Sequence, residues 1–139
     1  SSTFHGRDIF ASLAGRLAAG VAPAQAGPII HNAHLLSTGP AVRTGKRDWA
    51  GTVIHIDRFG NLITNLRPAD IPDLAARTPS VRVGLATLTG WTPNYAAISA
   101  GACAILLGSH GGIEIAACQA SAARLLGLAL GSPVDLELY

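Results

Sequence analysis

The sequence predicts a mainly β domain, compact and antiparallel, that follows one helix and a connector. Short apolar or alternating runs recur at residues 50–57, 62–66, 80–86, 102–107, 112–117 and 134–138, the texture of strands with a buried face. Gly, Asn, Ser and Pro gather between these runs, where hairpins turn. Helical spacing of apolar residues is confined to residues 8–19, 121–128 and, less regularly, 68–76.

In chain order, Ile9, Phe10, Leu13, Leu17 and Ala18 share a helical face. Asp8 stands where an N-cap belongs and Gly20 where a C-cap does. Residues 21–45 are rich in Pro, Gly and Ala without a period; Pro23, Pro28 and Pro40 argue against helix, so this is the connector. The texture changes between residues 40 and 50. Thr52, Val53, Ile54 and Ile56 give the first strand its β-branched character. Phe59-Gly60-Asn61 then turns into a second strand, at residues 62–66, that can pair back on the first. Val81, Val83 and Leu85 alternate with Arg82, Gly84 and Ala86 in a third strand. Gly108-Ser109-His110-Gly111 joins two more, and Gly131-Ser132 leads from the short helix at 121–128 into the last.

The 139 residues suffice for one domain with a core and not for two ordinary ones. Hydrophobic residues make up 49% and charged ones 13%, which excludes a disordered segment. A net charge of +2, with its cations dispersed, excludes a nucleic-acid surface. No apolar run reaches the roughly 20 residues of a membrane helix, so no membrane partner is expected. Cys103 and Cys118 sit in apolar strand-like runs and are too few for a disulfide framework. They read as buried free thiols, suited to a reducing, cytoplasmic compartment. The chain has no Met and opens on Ser1-Ser2-Thr3, as expected of one processed or cut from a longer protein.

Few segments carry chemistry. His31 and His34 have the spacing to share a helical face, but Pro and Gly flank them and no third ligand is near, so no metal site is expected. The Gly108–Gly112 turn either offers backbone N–H groups to an anion or is a plain tight hairpin; it lacks the Lys-Ser/Thr ending of a phosphate loop. Asp57-Arg58-Phe59-Gly60-Asn61 packs an acid, a base, an aromatic and an amide into one turn. It is either an ordinary hairpin with Phe59 tucked into the core or a ligand site. In the second case a phenyl face stacks on a heterocycle, an amide reads its edge and a carboxylate holds an ammonium group. His5, just before the first helix, is the candidate general base, because imidazole titrates near neutral pH.

These segments, in this order, resemble one family: Thr3 to Phe10, Ile56 to Asn65, Tyr95-Ala96, Ser109 with Gly111, Ile113 to Ala116, and Ser121-Ala122-Ala123 with Leu125 and Gly127. The family is that of the S-adenosylmethionine hydroxide adenosyltransferases, related to the enzymes that make 5′-fluoro- and 5′-chloro-5′-deoxyadenosine. The resemblance spans nearly the whole chain.

The resemblance implies a larger N-terminal α/β domain and a C-terminal β-barrel-like domain, in trimers that hold each substrate between neighbouring subunits. Residues 1–35 would be the end of the first domain and residues 36–139 all of the second. The implied reaction is displacement at the 5′ carbon of S-adenosylmethionine by water, giving adenosine and methionine without a cofactor. His5 matches the histidine of an Asp-Arg-His set, and Gly6 the position beside the nucleophile. Asp57 matches the carboxylate that binds the substrate's amino group. Phe59, Asn61 and Tyr95 match adenine contacts, and Ser109 a residue at the methionine carboxylate, with His110 as a cationic neighbour. The chain departs from the family pattern at Gly108 and Cys118, where Asn is usual, at Ala97, where an acid is, and at Ser12, where Pro is. The expectation is therefore the C-terminal part of an S-adenosylmethionine hydrolase, working with an N-terminal domain. A non-catalytic nucleoside-binding or trimerisation module is the alternative, and a halogenase the third reading.

Overall fold

A computed structural model describes residues 1–34 and 39–139. Contacts divide the chain into two units, Ser1–Leu35 and Leu36–Tyr139. The boundary expected between residues 35 and 36 falls outside the described residues.

In the first unit a π-helical segment, Gly6–Ala11, runs into α1, Ser12–Ala18. Asp8 is not the N-cap. His5 occupies that position without a side-chain cap bond, and the Asp8 carboxylate, now inside the helix, is held by neighbouring Arg7. The C-cap is Ala19 rather than Gly20, which follows it with φ +89 and donates its N–H to the Leu17 carbonyl. No residue of either helical segment is buried, and Phe4, Ile9 and Phe10 are exposed. His31 and His34 lie outside any helix.

The second unit is the expected antiparallel β domain, a nearly closed, barrel-shaped sheet. Its strands are β1 (Val42–Arg43), β2 (Asp48–Ile56), β3 (Leu62–Thr64), β4 (Pro79–Val83), β5 (Ala86–Thr89), β6 (Cys103–Leu107), β7 (Ile113–Ala117) and β8 (Pro133–Leu138). They run in the order β5-β4-β8-β2-β3-β7-β6, with β1 on β2. A parallel bridge between Trp91 and Ile105 brings β6 back towards the chain leaving β5. The first half of β2 pairs with β8 and the second half with β3, and the register shifts between Val53 and His55.

The core is the inward face of these strands, with Val53, Leu62, Val81, Ile105, Ile113, Ile115 and Leu136 almost wholly excluded from water. Ile98, Leu106 and Ala116 form a smaller second cluster, so β7 is buried along its whole length. Buried polar groups are satisfied: Thr64 donates to the Ile113 carbonyl at 2.8 Å, while the Asn65 amide accepts from Thr52 N–H at 2.7 Å and donates to Gly39.

Three expectations need correction. Residues 68–76 form turns, because Pro72 interrupts the backbone and Asp73 takes φ +61; Ile71 and Leu74 still anchor the segment in the core. The strand expected at 80–86 is a hairpin: Gly84 takes φ +56, the chain reverses, and Leu85 points fully into solvent. Both cysteines are free but only half-buried. The other short helix holds as α2, Ala122–Leu126, capped by Ser121 and closed by left-handed Gly127.

Ile115 pairs with Leu62 on one side and Ile105 on the other and is wholly buried. Ile115→Ala is expected to lower unfolding free energy by about 2–5 kcal/mol in urea titrations, the usual cost of a core truncation.

Candidate functional site

The β2–β3 connection is a five-residue turn closed by its own side chains. Asp57 Oδ1 accepts the backbone N–H groups of Phe59 at 2.8 Å and Asn61 at 2.9 Å, and Oδ2 accepts the Asn61 side-chain amide at 2.9 Å. Partial burial works to raise this carboxyl; the donors of Asn61, Phe59 and Gly60 outweigh it and hold the group below the ordinary carboxylate range. A carboxylate has about four acceptor sites and these bonds fill three, so roughly one remains for a ligand.

Gly60 is obligatory here. Its φ is +86, and a Cβ would collide with the Ser121 side chain and stand 2.9 Å from its Cα. The turn can therefore lie directly on the start of α2, where the Ala123 N–H donates to the Gly60 carbonyl at 3.0 Å. With Gly60 and Asn61 held inward, Phe59 points out: it is 66% exposed, under the Arg58 guanidinium. The reading that tucked Phe59 into the core is overturned.

This turn is one wall of a cavity of about 1060 Å³. Residues 56–61 line it together with Tyr95, Ala96, residues 117–121, Ala123 and Arg124. Asp57, Phe59, Asn61 and Tyr95, far apart in sequence, thus face one space. An aromatic pair, a buried amide and a carboxylate suit a flat heterocycle carrying a cationic arm. Tyr95 opens a short 3-10 turn, Tyr95–Ala97, capped by the Asn94 side chain at 3.1 Å. Its hydroxyl donates to Glu114 at 2.7 Å. That bond, burial and the charges of Glu114 and Asp57 push the phenol up to about 12.

Ser109 and His110 are not in this cavity's lining. They ride the turn between β6 and β7, closed by Gly108 N–H to the Gly112 carbonyl and Gly111 N–H to the Gly108 carbonyl, each 2.9 Å. Ser109 is exposed; His110 folds back until its Nδ1 stands 3.9 Å from Glu114. Burial lowers the imidazole's pKa and Arg67 adds to this, with Glu114 opposing. The ring occupies the room above Gly108, where a Cβ would lie 2.5 Å from it. Gly108 and His110 are thus a matched pair: the missing side chain at 108 is replaced by the imidazole. His5 and Gly6 belong to the first unit, at the entry to its helical segment.

Gln119 and Arg124 of the cavity were not singled out from sequence. Gln119, at φ +51, is a non-glycine in left-handed backbone, a common mark of functional loops, but no sequence signal announces it. Arg58 and Arg124 add two cations to the lining. Cys118, one of the departures from the family pattern, also faces the cavity; Ala97 is exposed. Among the described residues no cluster of His, Cys, Asp and Glu could hold a metal ion, and no helix is long and apolar enough to cross a membrane.

Residues 51–135 match the family model for the SAM hydroxide adenosyltransferase C-terminal domain. An (R)-S-adenosyl-L-methionine hydrolase of Thermus thermophilus is 36% identical over 97% of this chain and 49% of its own length. One of Salinispora tropica is 33% identical over 94% of this chain and likewise 49% of its own. The chain spans about half the length of these curated relatives. Among solved structures, an uncharacterized conserved protein from Thermotoga maritima superposes with a TM-score of 0.68 at 27% identity, over 98% of this chain and 53% of that one. A conserved hypothetical protein from Thermus thermophilus gives 0.62 at 34%, over 100% and 52%.

The Gly108–His110 pairing has a direct check. Gly108→Ala is expected to destabilise the domain by roughly 1–3 kcal/mol, the usual cost of overpacking. His110→Gly in the same chain should recover part of that loss in thermal unfolding, since the added Cβ still meets the Glu114 carboxylate. Equal losses in both backgrounds would show that the ring is not what fills the space.

Proposed function

The chain belongs to the SAM hydroxide adenosyltransferase family, whose C-terminal domain it carries, and we propose that it is the C-terminal part of an S-adenosyl-L-methionine hydrolase. In this reading the substrate's adenosine occupies the cavity between the Asp57–Asn61 turn, Tyr95 and α2. What supports it most is that single cavity, where a rigid turn presents an exposed phenyl ring, a buried amide and an ionised carboxylate. Phe59 and Tyr95 stack on or edge the purine, Asn61 offers an N–H and a carbonyl, and Asp57 takes the ammonium. Ser109 and His110 serve the carboxylate end.

The sulfonium is already a good leaving group, so the protein's task is to desolvate, align and activate one water. The water oxygen bonds to C5′ as the C5′–S bond breaks, its electron pair passing to sulfur. Adenosine and neutral-thioether L-methionine result. His5 takes the water's proton as general base, Gly6 leaves its backbone N–H beside the nucleophile, and S-adenosylmethionine is substrate, with no separate cofactor. The active form is a cytoplasmic homotrimer whose sites combine neighbouring subunits, or this chain with a separate N-terminal domain.

A second reading, a non-catalytic nucleoside-binding module, has one observation in its favour: the cavity's lining comes entirely from the second unit and does not include His5. The experiment separates them. The complete subunit, N-terminal domain included, is expected to convert S-adenosylmethionine to adenosine and L-methionine, read by chromatography. Binding without turnover favours the module; 5′-chloro-5′-deoxyadenosine as main product in chloride buffer favours the halogenase. His5→Ala should lower turnover by about 10²–10⁴-fold, the typical share of general-base catalysis, with affinity retained. Asp57→Ala should weaken substrate binding by calorimetry, and unchanged affinity removes Asp57 from the site.

A further inference from the structure

Glu114 is 4% exposed on a strand whose every residue is buried. On β7 its neighbours Ile113 and Ile115 enter the main core, whereas Glu114 shares a face with Ala116, in the smaller cluster. An ionised carboxylate there is costly, and an apolar side chain of its size would serve packing as well or better. Among its described partners one contact is short: Oε1 accepts the Tyr95 hydroxyl at 2.7 Å. The other oxygen is confined. His110 Nδ1 lies 3.9 Å from it, and a Cβ on Gly108 would stand 2.7 Å away.

We infer that Glu114 is a positioning residue, which holds the Tyr95 hydroxyl and so fixes the tyrosine ring as a wall of the cavity. Tyr95 needs such an anchor. Its side chain is 48% exposed on a three-residue turn, where an untied ring would sample several rotamers and lose that freedom on each binding event. A ring tied at its far end meets a flat ligand already oriented. The raised phenol pKa agrees with a hydroxyl that stays a donor across the neutral range.

This inference rests on the nucleoside reading of the cavity, so the test has a ligand arm and a ligand-free arm, both in the complete subunit. In calorimetry with adenosine, Glu114→Leu is expected to raise Kd roughly 3- to 10-fold, the scale of one hydrogen bond. Glu114→Gln, which keeps an acceptor, should recover part of the loss. Tyr95→Phe should match Glu114→Leu, and the double variant should be no weaker than either single one, as for residues acting through one bond. Unchanged affinity in Glu114→Leu, or additive losses in the double variant, overturns the inference. In the ligand-free arm, the ¹³Cζ resonance of Tyr95, identified by its disappearance in Tyr95→Phe, should move in Glu114→Gln; a fixed resonance overturns the anchor. Wild-type protein that takes up no adenosine overturns the nucleoside reading, and the resonance alone then decides the anchor. Should the Glu114 variants fail to fold, Tyr95→Phe decides: unchanged adenosine affinity overturns the inference.

Discussion

The β domain depends on one strand serving three partners. β2 is nine residues long, carries β8 and β1 along its first half and β3 along its second, and shifts register within the β3 pairing, between Val53 and His55. A flat strand of that length would keep its partners in one plane; a register shift bends it and lets the sheet curl towards closure. The Asn65 amide steadies the bend by bonding Thr52 and Gly39, in a space that Gly51 keeps free, since a Cβ there would sit 2.7 Å from the Asn65 oxygen. The end of β2 thereby delivers the Asp57 turn against α2, and the cavity follows from that delivery.

From there the site is assembled by close approach more than by charge. Glycines at 60 and 108 each remove a side chain where another group must come in: the backbone of Ser121 in one case, the His110 ring in the other. Glu114 couples the second approach to the cavity, because its carboxylate touches Tyr95 on one side and faces His110 on the other. The cavity wall at Tyr95 and the turn that carries Ser109 and His110 thus share one buried group, although Ser109 and His110 do not line the cavity.

What could be read in advance was what is local. The Asp57–Asn61 turn is five consecutive residues whose bonds close on themselves, so its chemistry is visible in the sequence, as are strands marked by alternation and the short helix at 121–128. Long-range covering was not visible. Ile113-Glu114-Ile115 alternates like a strand with one wet face, yet the Tyr95–Ala97 turn, 19 residues earlier, covers that face. Leu85 kept the alternation of residues 80–86 alive across a glycine that in fact reverses the chain. Whether Phe59 went inward or outward hinged on Gly60 meeting Ser121, a contact no local pattern encodes. Asp8 was read as a cap from position alone, while adjacent Arg7 competes for the same carboxylate.

The self-closed Asp57 turn also bears on how such a protein can change over generations. The carboxylate that would meet a ligand's positive charge is the same one that fastens Phe59 and Asn61 in place. Replacing it alters recognition and architecture in one step, and Gly60 admits no other residue beside it. Change is freer at Arg58, Cys118, Gln119 and Arg124, whose side chains line the cavity without entering the turn's hydrogen bonds. A substitution in the turn thus carries a structural cost that one in its surroundings does not.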